Sequence, residues 1–240
     1  MKFTLGLVAV LAVVGLGQAY PFLDYGKNLA IDIGQNSAIQ FGKNNDLIAE
    51  LVDFINLIPA EEFVDILIKY FNEDEKVQEA IEFLFTNEFH DLLRALEALK
   101  EHQALVIYLE KAGLPIIQAI QEYHRAIDME DYVPPKIEGL FKSLIKTQKI
   151  GDGIEGMLKD LYNILPLDKI DALYEEKMRT SKVYADFITK ITSKEMGKIV
   201  HDIGITETYK EFNTKTKEKG IDFEKIVIFS SRIIGIKVEN

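Results

Sequence analysis

One glycine-rich hexapeptide, four histidines, two adjacent serines and a few cations beside apolar neighbours are the residues whose types and spacing could do chemistry. Gly151-Asp-Gly-Ile-Glu-Gly156 fits G-x-G-x-x-G, a pattern whose glycines let a phosphate approach the backbone where a strand turns into a helix. Its context works against that use. The preceding FKSLIKTQKI reads as helix and no βαβ unit surrounds it, so a hinge and a helix start are expected instead. His90, His102, His124 and His201 offer no pair at the spacing that puts two ligands on one helical face. They are expected on the surface or at a rim, and neither a metal nor another cofactor is expected. Ser230-Ser231 lacks the G-x-S-x-G elbow of a hydrolytic nucleophile. The chain has no Cys, which removes disulfides, thiolate zinc sites and Cys nucleophiles together. With no acid–base set visible, no catalytic residues are assigned and the chain is not expected to be an enzyme.

Lys69, Arg94, Lys111 and Arg125 stand beside apolar neighbours on predicted helices. Each could pair with the carboxylate or phosphate of an amphiphile's head group, although solvated helix faces are the ordinary account of such residues. A nucleic-acid partner is not expected. The sequence carries 28 Lys+Arg against 39 Asp+Glu, a net charge of −11, whereas phosphate-backbone affinity rests on clustered cations.

The elements that must position these residues are helices. The chain is 240 residues long, 48% hydrophobic and 28% charged, with a mean hydropathy of +0.01, so it can bury one large core. Residues 1–19 are set apart. Lys2 precedes an apolar run from Leu5 to Leu16, and Gly17-Gln18-Ala19 has the small-x-small pattern of a signal-peptidase site. A run of about 12 apolar residues is short for a membrane span, so cleavage after Ala19 and secretion are expected. The segment 20–44, with several Gly and Asn, gives no clear pattern.

From Asp46 to Pro59 the polar residues Asp46, Glu50, Asp53 and Asn56 recur every three or four positions, with apolar residues between them. That is a helix with a narrow wet stripe and apolar contact on more than one side. Further helices are read over Ala60–Asn72, Asp74–Phe85, Glu88–Leu99 with Asn87 as its cap, Glu101–Ala112 ended by Gly113, and Pro115–Ile127. Sliding the chain on itself by about 107 residues aligns Leu51–Ile127 with Leu158–Ile234. Pro59 then falls on Pro166 and Gly113 on Gly220, and the apolar phase agrees. A tandem duplication is therefore read, with repeat 1 at 45–128, a linker and connecting helix at 129–150, repeat 2 at 151–236 and a tail at 237–240. Its alignment decides Ile221–Ile236, which is β-branched enough to read alone as a strand. Its counterpart PIIQAIQEYHRAI is helical, and the fold class is all-α. Glu207–Lys219 offers little apolar surface besides Tyr209 and Phe212, so the fifth helix of repeat 2 is read as the wetter one.

LVDFINLIPAEEFVDILIKYF, FHDLLRALEAL, YLEKAGLPIIQAIQEYH and GMLKDLYNILPLDKIDALYEEKM resemble the insect allergen-related repeat family, which includes cockroach digestive-tract allergens and microvillar proteins of mosquito midgut. The resemblance implies two repeats of five or six short helices enclosing one hydrophobic cavity that holds fatty acids or phospholipid acyl chains, in a protein released to the gut lumen or microvillar surface. Cavity-lining candidates in the first half are Leu51, Phe54, Ile55, Ile66, Leu67 and Tyr70, followed by Ile81, Leu84, Leu92, Leu96, Leu105, Tyr108 and Ile120. In the second half they are Leu158, Leu161, Leu165 and Leu173, then Ile188, Ile191, Ile199, Ile203 and Phe229. The same residues could simply fill a dry core, so both accounts stand at this point. A membrane-active protein meeting a bilayer surface is the alternative function, since amphipathic helices can open onto lipid. A weaker one is a detoxification factor like the nitrile-specifier proteins that resemble this family.

Overall fold

A computed structural model describes residues 46–135 and 152–237. The expected leader, the segment 20–44, the connecting helix at 136–150 and residues 238–240 lie outside the described residues. Within them the chain forms twelve α-helices and no strand. The first six are α1 (Asp46–Ile55), α2 (Ala60–Glu73), α3 (Glu75–Leu84), α4 (Asn87–Glu97), α5 (Lys100–Lys111) and α6 (Ile116–Ala126). The second six are α7 (Gly153–Asn163), α8 (Leu167–Thr180), α9 (Lys182–Ile191), α10 (Lys194–Gly204), α11 (Glu207–Glu218) and α12 (Phe223–Ile233).

Each boundary has a local chemical cause. Pro59 and Pro166 stand immediately before α2 and α8, where a missing N–H costs nothing and the ring holds φ near its helical value. Short polar side chains cap α3, α4, α9, α10, α11 and α12: Asp74, Thr86, Ser181, Ser193, Thr206 and Asp222 each accept from backbone N–H groups in the first turn. Thr86 rather than Asn87 is the cap of α4. Its hydroxyl accepts from Phe89 N at 3.2 Å while donating to Phe83 O at 2.7 Å, and Asn87 becomes the first helical residue. Pro115 likewise precedes α6 rather than opening it. The β-branched segment near the C-terminus is helical, as α12, because Asp222 caps it and its apolar residues recur at helical spacing onto a buried face.

From α8 to α12, every helix begins and ends 107 residues after its counterpart among α2 to α6, as Ala60–Glu73 and Leu167–Thr180 illustrate. The turns agree as well: Gly113 and Gly220 both have positive φ, at 103° and 80°, and so do Asp128 at 56° and Gly235 at 83°. The halves interlock. α1 packs against α9 and α3 against α7; α5 packs against α10 and α4 against α11; α2 packs against α7 and α1 against α8. Each of these pairs becomes its partner pair when the halves are exchanged. One core of buried side chains therefore draws on both, with Phe54 stacked 5.3 Å from Tyr184, Phe63 on Phe229 at 6.5 Å and Phe89 against Phe212 at 6.0 Å.

Polar side chains fasten the same junction twice. In one place the Tyr70 hydroxyl donates to Asp160 Oδ2 at 2.7 Å. At the counterpart, Lys177 donates to Asp53 Oδ2 at 2.6 Å and to Glu50, which also accepts from Ser181 Oγ at 2.6 Å. Burial opposes the Lys177 charge, yet the bonds to Asp53 and Glu50 outweigh it and its pKa lies above the ordinary value. Glu50 is held below its own, because Lys177 and Ser181 overcome its desolvation.

Candidate apolar binding site

All twenty-two sequence-predicted lining residues lie in, or packed against, the apolar core, and none is exposed. They fall into two sets. Twelve are buried, among them Phe54, Leu105, Leu161, Ile188 and Phe229, and ten keep part of their surface open. The open set recurs by position: Leu51 and Leu158, Ile66 and Leu173, and Leu92 and Ile199 are counterparts, and all six are half-buried. On α1, buried Leu47 and Phe54 alternate with half-buried Leu51 and Ile55 along one stripe. α2 is apolar more widely, with Phe63 and Tyr70 buried, Val64 half-buried, and Ile66, Leu67 and Ile68 half-buried between exposed Asp65 and Lys69. Tyr70 and Tyr108 differ from the rest. Tyr70 ends on Asp160, and the Tyr108 hydroxyl donates to Lys190 O at 2.9 Å beside Ser193 Oγ at 3.0 Å. Both hydroxyls serve the junction between the halves.

The histidines correct the sequence expectation, since three of the four are buried and only His201 is exposed. His90 Nε2 lies 3.1 Å from Leu84 O and so serves a carbonyl at the end of α3. His124 is 2% exposed, with Nε2 2.8 Å from Glu97 Oε1 and Nδ1 2.7 Å from Glu130 O. Both contacts are to acceptors, an arrangement that favours the doubly protonated ring. Burial opposes that charge, but Glu97 and the Glu130 carbonyl prevail and raise the pKa. His102 has the opposite fate: its Nδ1 is buried with no hydrogen-bond partner among the described residues, and desolvation pushes its pKa down to about 4. The sequence offered one usable signal. His102 on α5 has apolar residues at all four positions three and four away, Ala98, Leu99, Leu105 and Val106, whereas His124 on α6 has them at only two, Ile120 and Ile127.

The cationic candidates divide similarly. Lys69 and Lys111 are exposed. Arg94 forms a two-pronged pair with Glu130, one prong at 2.7 Å, and also reaches Asp91 at 2.7 Å; Arg94 holds the Glu130 carboxyl down to about 2. Arg125 departs from the solvated-face reading: its side chain is 10% exposed, Nε donates to Asp131 Oδ1 at 2.8 Å, and both Nη atoms are buried without a partner among the described residues. Together Arg94, Arg125 and His124 draw residues 130 and 131 back onto α4 and α6.

The glycine hexapeptide is structural where it is described. Gly153 begins α7 with φ of +71°, and a side chain at Gly156 would meet the Tyr70 hydroxyl at 3.0 Å. Asp74 accepts from the N–H groups of Asp152 and Gly153, so a carboxylate of this chain occupies the place that a phosphate takes in the nucleotide motif. Among the described residues no cluster of three His, Asp or Glu could hold a metal ion, and no helix is long and apolar enough to cross a membrane.

A family profile described as insect allergen-related repeat, nitrile-specifier detoxification, matches residues 46–227. The chain belongs to this family. The match runs from the first residue of α1 into α12 and takes in both sets of six helices. One curated relative is Protein G12 of Anopheles gambiae, 23% identical over 175 residues, which cover 73% of this chain and 81% of that protein. The six counterpart half-buried positions Leu51, Ile66, Leu92, Leu158, Leu173 and Ile199, and both cross-half fastenings, lie within the matched residues.

Proposed function

We propose that this member of the insect allergen-related repeat family encloses the acyl chains of fatty acids or phospholipids in an apolar cavity, binds them without catalysing any reaction, and is secreted in the insect gut. One observation carries the reading: large apolar side chains remain half-open at counterpart positions of both halves although they pack against a shared core. Open apolar surface costs about 25 cal/mol for each Å² left in water. An acyl chain laid along it offsets that cost and gains about 0.8 kcal/mol for each CH₂ withdrawn from water. Sixteen or so such groups give more than enough to bind. The leader at residues 1–19 supports export, and the membership supports a gut protein.

Native mass spectrometry and organic extraction of the protein purified from its natural source test this directly. Bound lipid, together with uptake of a fluorescent fatty acid by stripped protein, is the expected result. A protein that carries no lipid and takes none up is no carrier. Liposomes serve as the second arm, because a carrier leaves them intact whereas a membrane-active protein releases their contents.

A further inference from the structure

Arg125 and Arg232 occupy counterpart positions near the ends of α6 and α12. The guanidinium of Arg232 has a carboxylate within the chain: its Nη1 lies 2.6 Å from Asp171 Oδ1, and Lys237 supports the same acid from 2.9 Å. The counterpart of Asp171 is Val64. Arg125 thus keeps the guanidinium while its half of the molecule lacks the acid. Asp131 engages its Nε, and Glu122, one turn back, accepts from Gln118 Nε2 at 2.9 Å. That leaves the two Nη atoms buried and without partners among the described residues. Buried guanidinium N–H groups are costly when unmet, and two Nη atoms in one plane match the two oxygens of a single carboxylate. Ile127, Met129 and Tyr132, which flank Arg125 and its partner Asp131 along the chain, belong to the apolar core, so an anion held there stands at that core's edge.

We propose that Arg125 is the head-group subsite of the cavity and takes the carboxylate of a fatty acid end-on through its two Nη atoms. This rests on the acyl-chain reading above. A carboxylate is favoured over a phosphate because the second half of the molecule sets one, Asp171, against Nη1 of the equivalent guanidinium.

The test compares binding of palmitate and 1-hexadecanol, equal in chain length, to wild type, Arg125→Met and Arg125→Lys, with circular dichroism confirming that each variant is folded. Wild type is expected to prefer palmitate by about tenfold, Arg125→Lys to keep part of that preference, and Arg125→Met to lose it while still binding hexadecanol. Should Arg125→Met not fold, the Lys variant and [1-¹³C]palmitate decide. The bound carboxylate then stays ionised to lower pH in wild type than in the Lys variant, and equal titration in both overturns the subsite. If wild type binds both lipids equally, this inference falls and the carrier reading stands. If it binds neither, the carrier reading itself falls. A phosphatidylcholine arm separates the sources: weakening by Arg125→Met confined to phosphatidylcholine overturns the carboxylate assignment.

Discussion

His102 and His124 show one residue type driven in opposite directions by its surroundings, with opposite consequences for stability. His124 has acceptors on both ring nitrogens and a raised pKa, so it contributes stability fully below the unfolded value near 6.5 and loses it as pH rises through the folded value. His102 is desolvated without compensation. Above about pH 6.5 it is neutral whether folded or unfolded; below that, the unfolded chain takes up a proton that the folded chain refuses until about pH 4, and stability falls. His102→Leu is expected to remove this penalty, so that the stability lost between pH 7 and pH 5 shrinks by about 2 kcal/mol relative to wild type. Urea titrations at the two pH values measure it, and parallel losses in both proteins would contradict the assignment. The sequence hid His124 for a physical reason. A lone His can be a wet or a buried residue with equal ease, and what decides is whether another helix brings an acceptor such as Glu97, 27 positions away.

At the scale of the element, the helices were almost entirely legible, because a 3.6-residue apolar period, Pro59 and Gly113 are local signals. Even α12 came from the sequence, through its counterpart α6. The one-residue displacement of the α4 cap from Asn87 to Thr86 marks the limit, since both residue types cap helices and the pattern along the chain does not select between them. Which helix lies beside which was not legible, for amphipathic faces of similar width do not encode their partners. Asp74 illustrates an element that serves two partners. One of its oxygens caps α3 through Lys76 N and Val77 N, and the other accepts from Asp152 N and Gly153 N at the head of α7. Its counterpart Ser181 caps α9 at Tyr184 N and donates to Glu50. Asp74→Ala therefore removes a cap worth about 1 kcal/mol and also leaves two N–H groups of α7 unmet, for a total near 3 kcal/mol. Ser181→Ala removes a cap and one side-chain bond, for a total of about 1.5 kcal/mol. Denaturant midpoints of the two variants check the ranking, and equal losses would show that the α3–α7 contact does not depend on Asp74.

For the whole molecule, the packing of each half's helices on the other's decides how the protein folds and where the proposed acyl-chain site would have its walls. The apolar stripe of the candidate site could be read along the sequence, since Leu51, Ile66 and Leu92 and their counterparts share a phase; that these positions stay half-open while Phe54 and Leu161 are sealed could not, because it depends on the facing half. Residues 46–135 alone would expose the faces of α1, α3, α4 and α5 that pack on α9, α7, α11 and α10. Phe54 would lose Tyr184, Phe89 would lose Phe212, and Asp53 would lose Lys177. A six-helix half of that kind loses the apolar burial that the other half supplies, and with it much of what offsets its chain entropy. Expressed separately, each half is expected to show helical circular dichroism with fluid tertiary packing, bind a hydrophobic dye and melt without a sharp transition. Mixed, the halves should regain a cooperative melt, because the junction is made of complementary faces rather than of a covalent linker. A first half that melts cooperatively by itself, near the temperature of the intact chain, would show that the interlocked core is not the folding unit. It would also weaken the case for a cavity that needs walls from both halves.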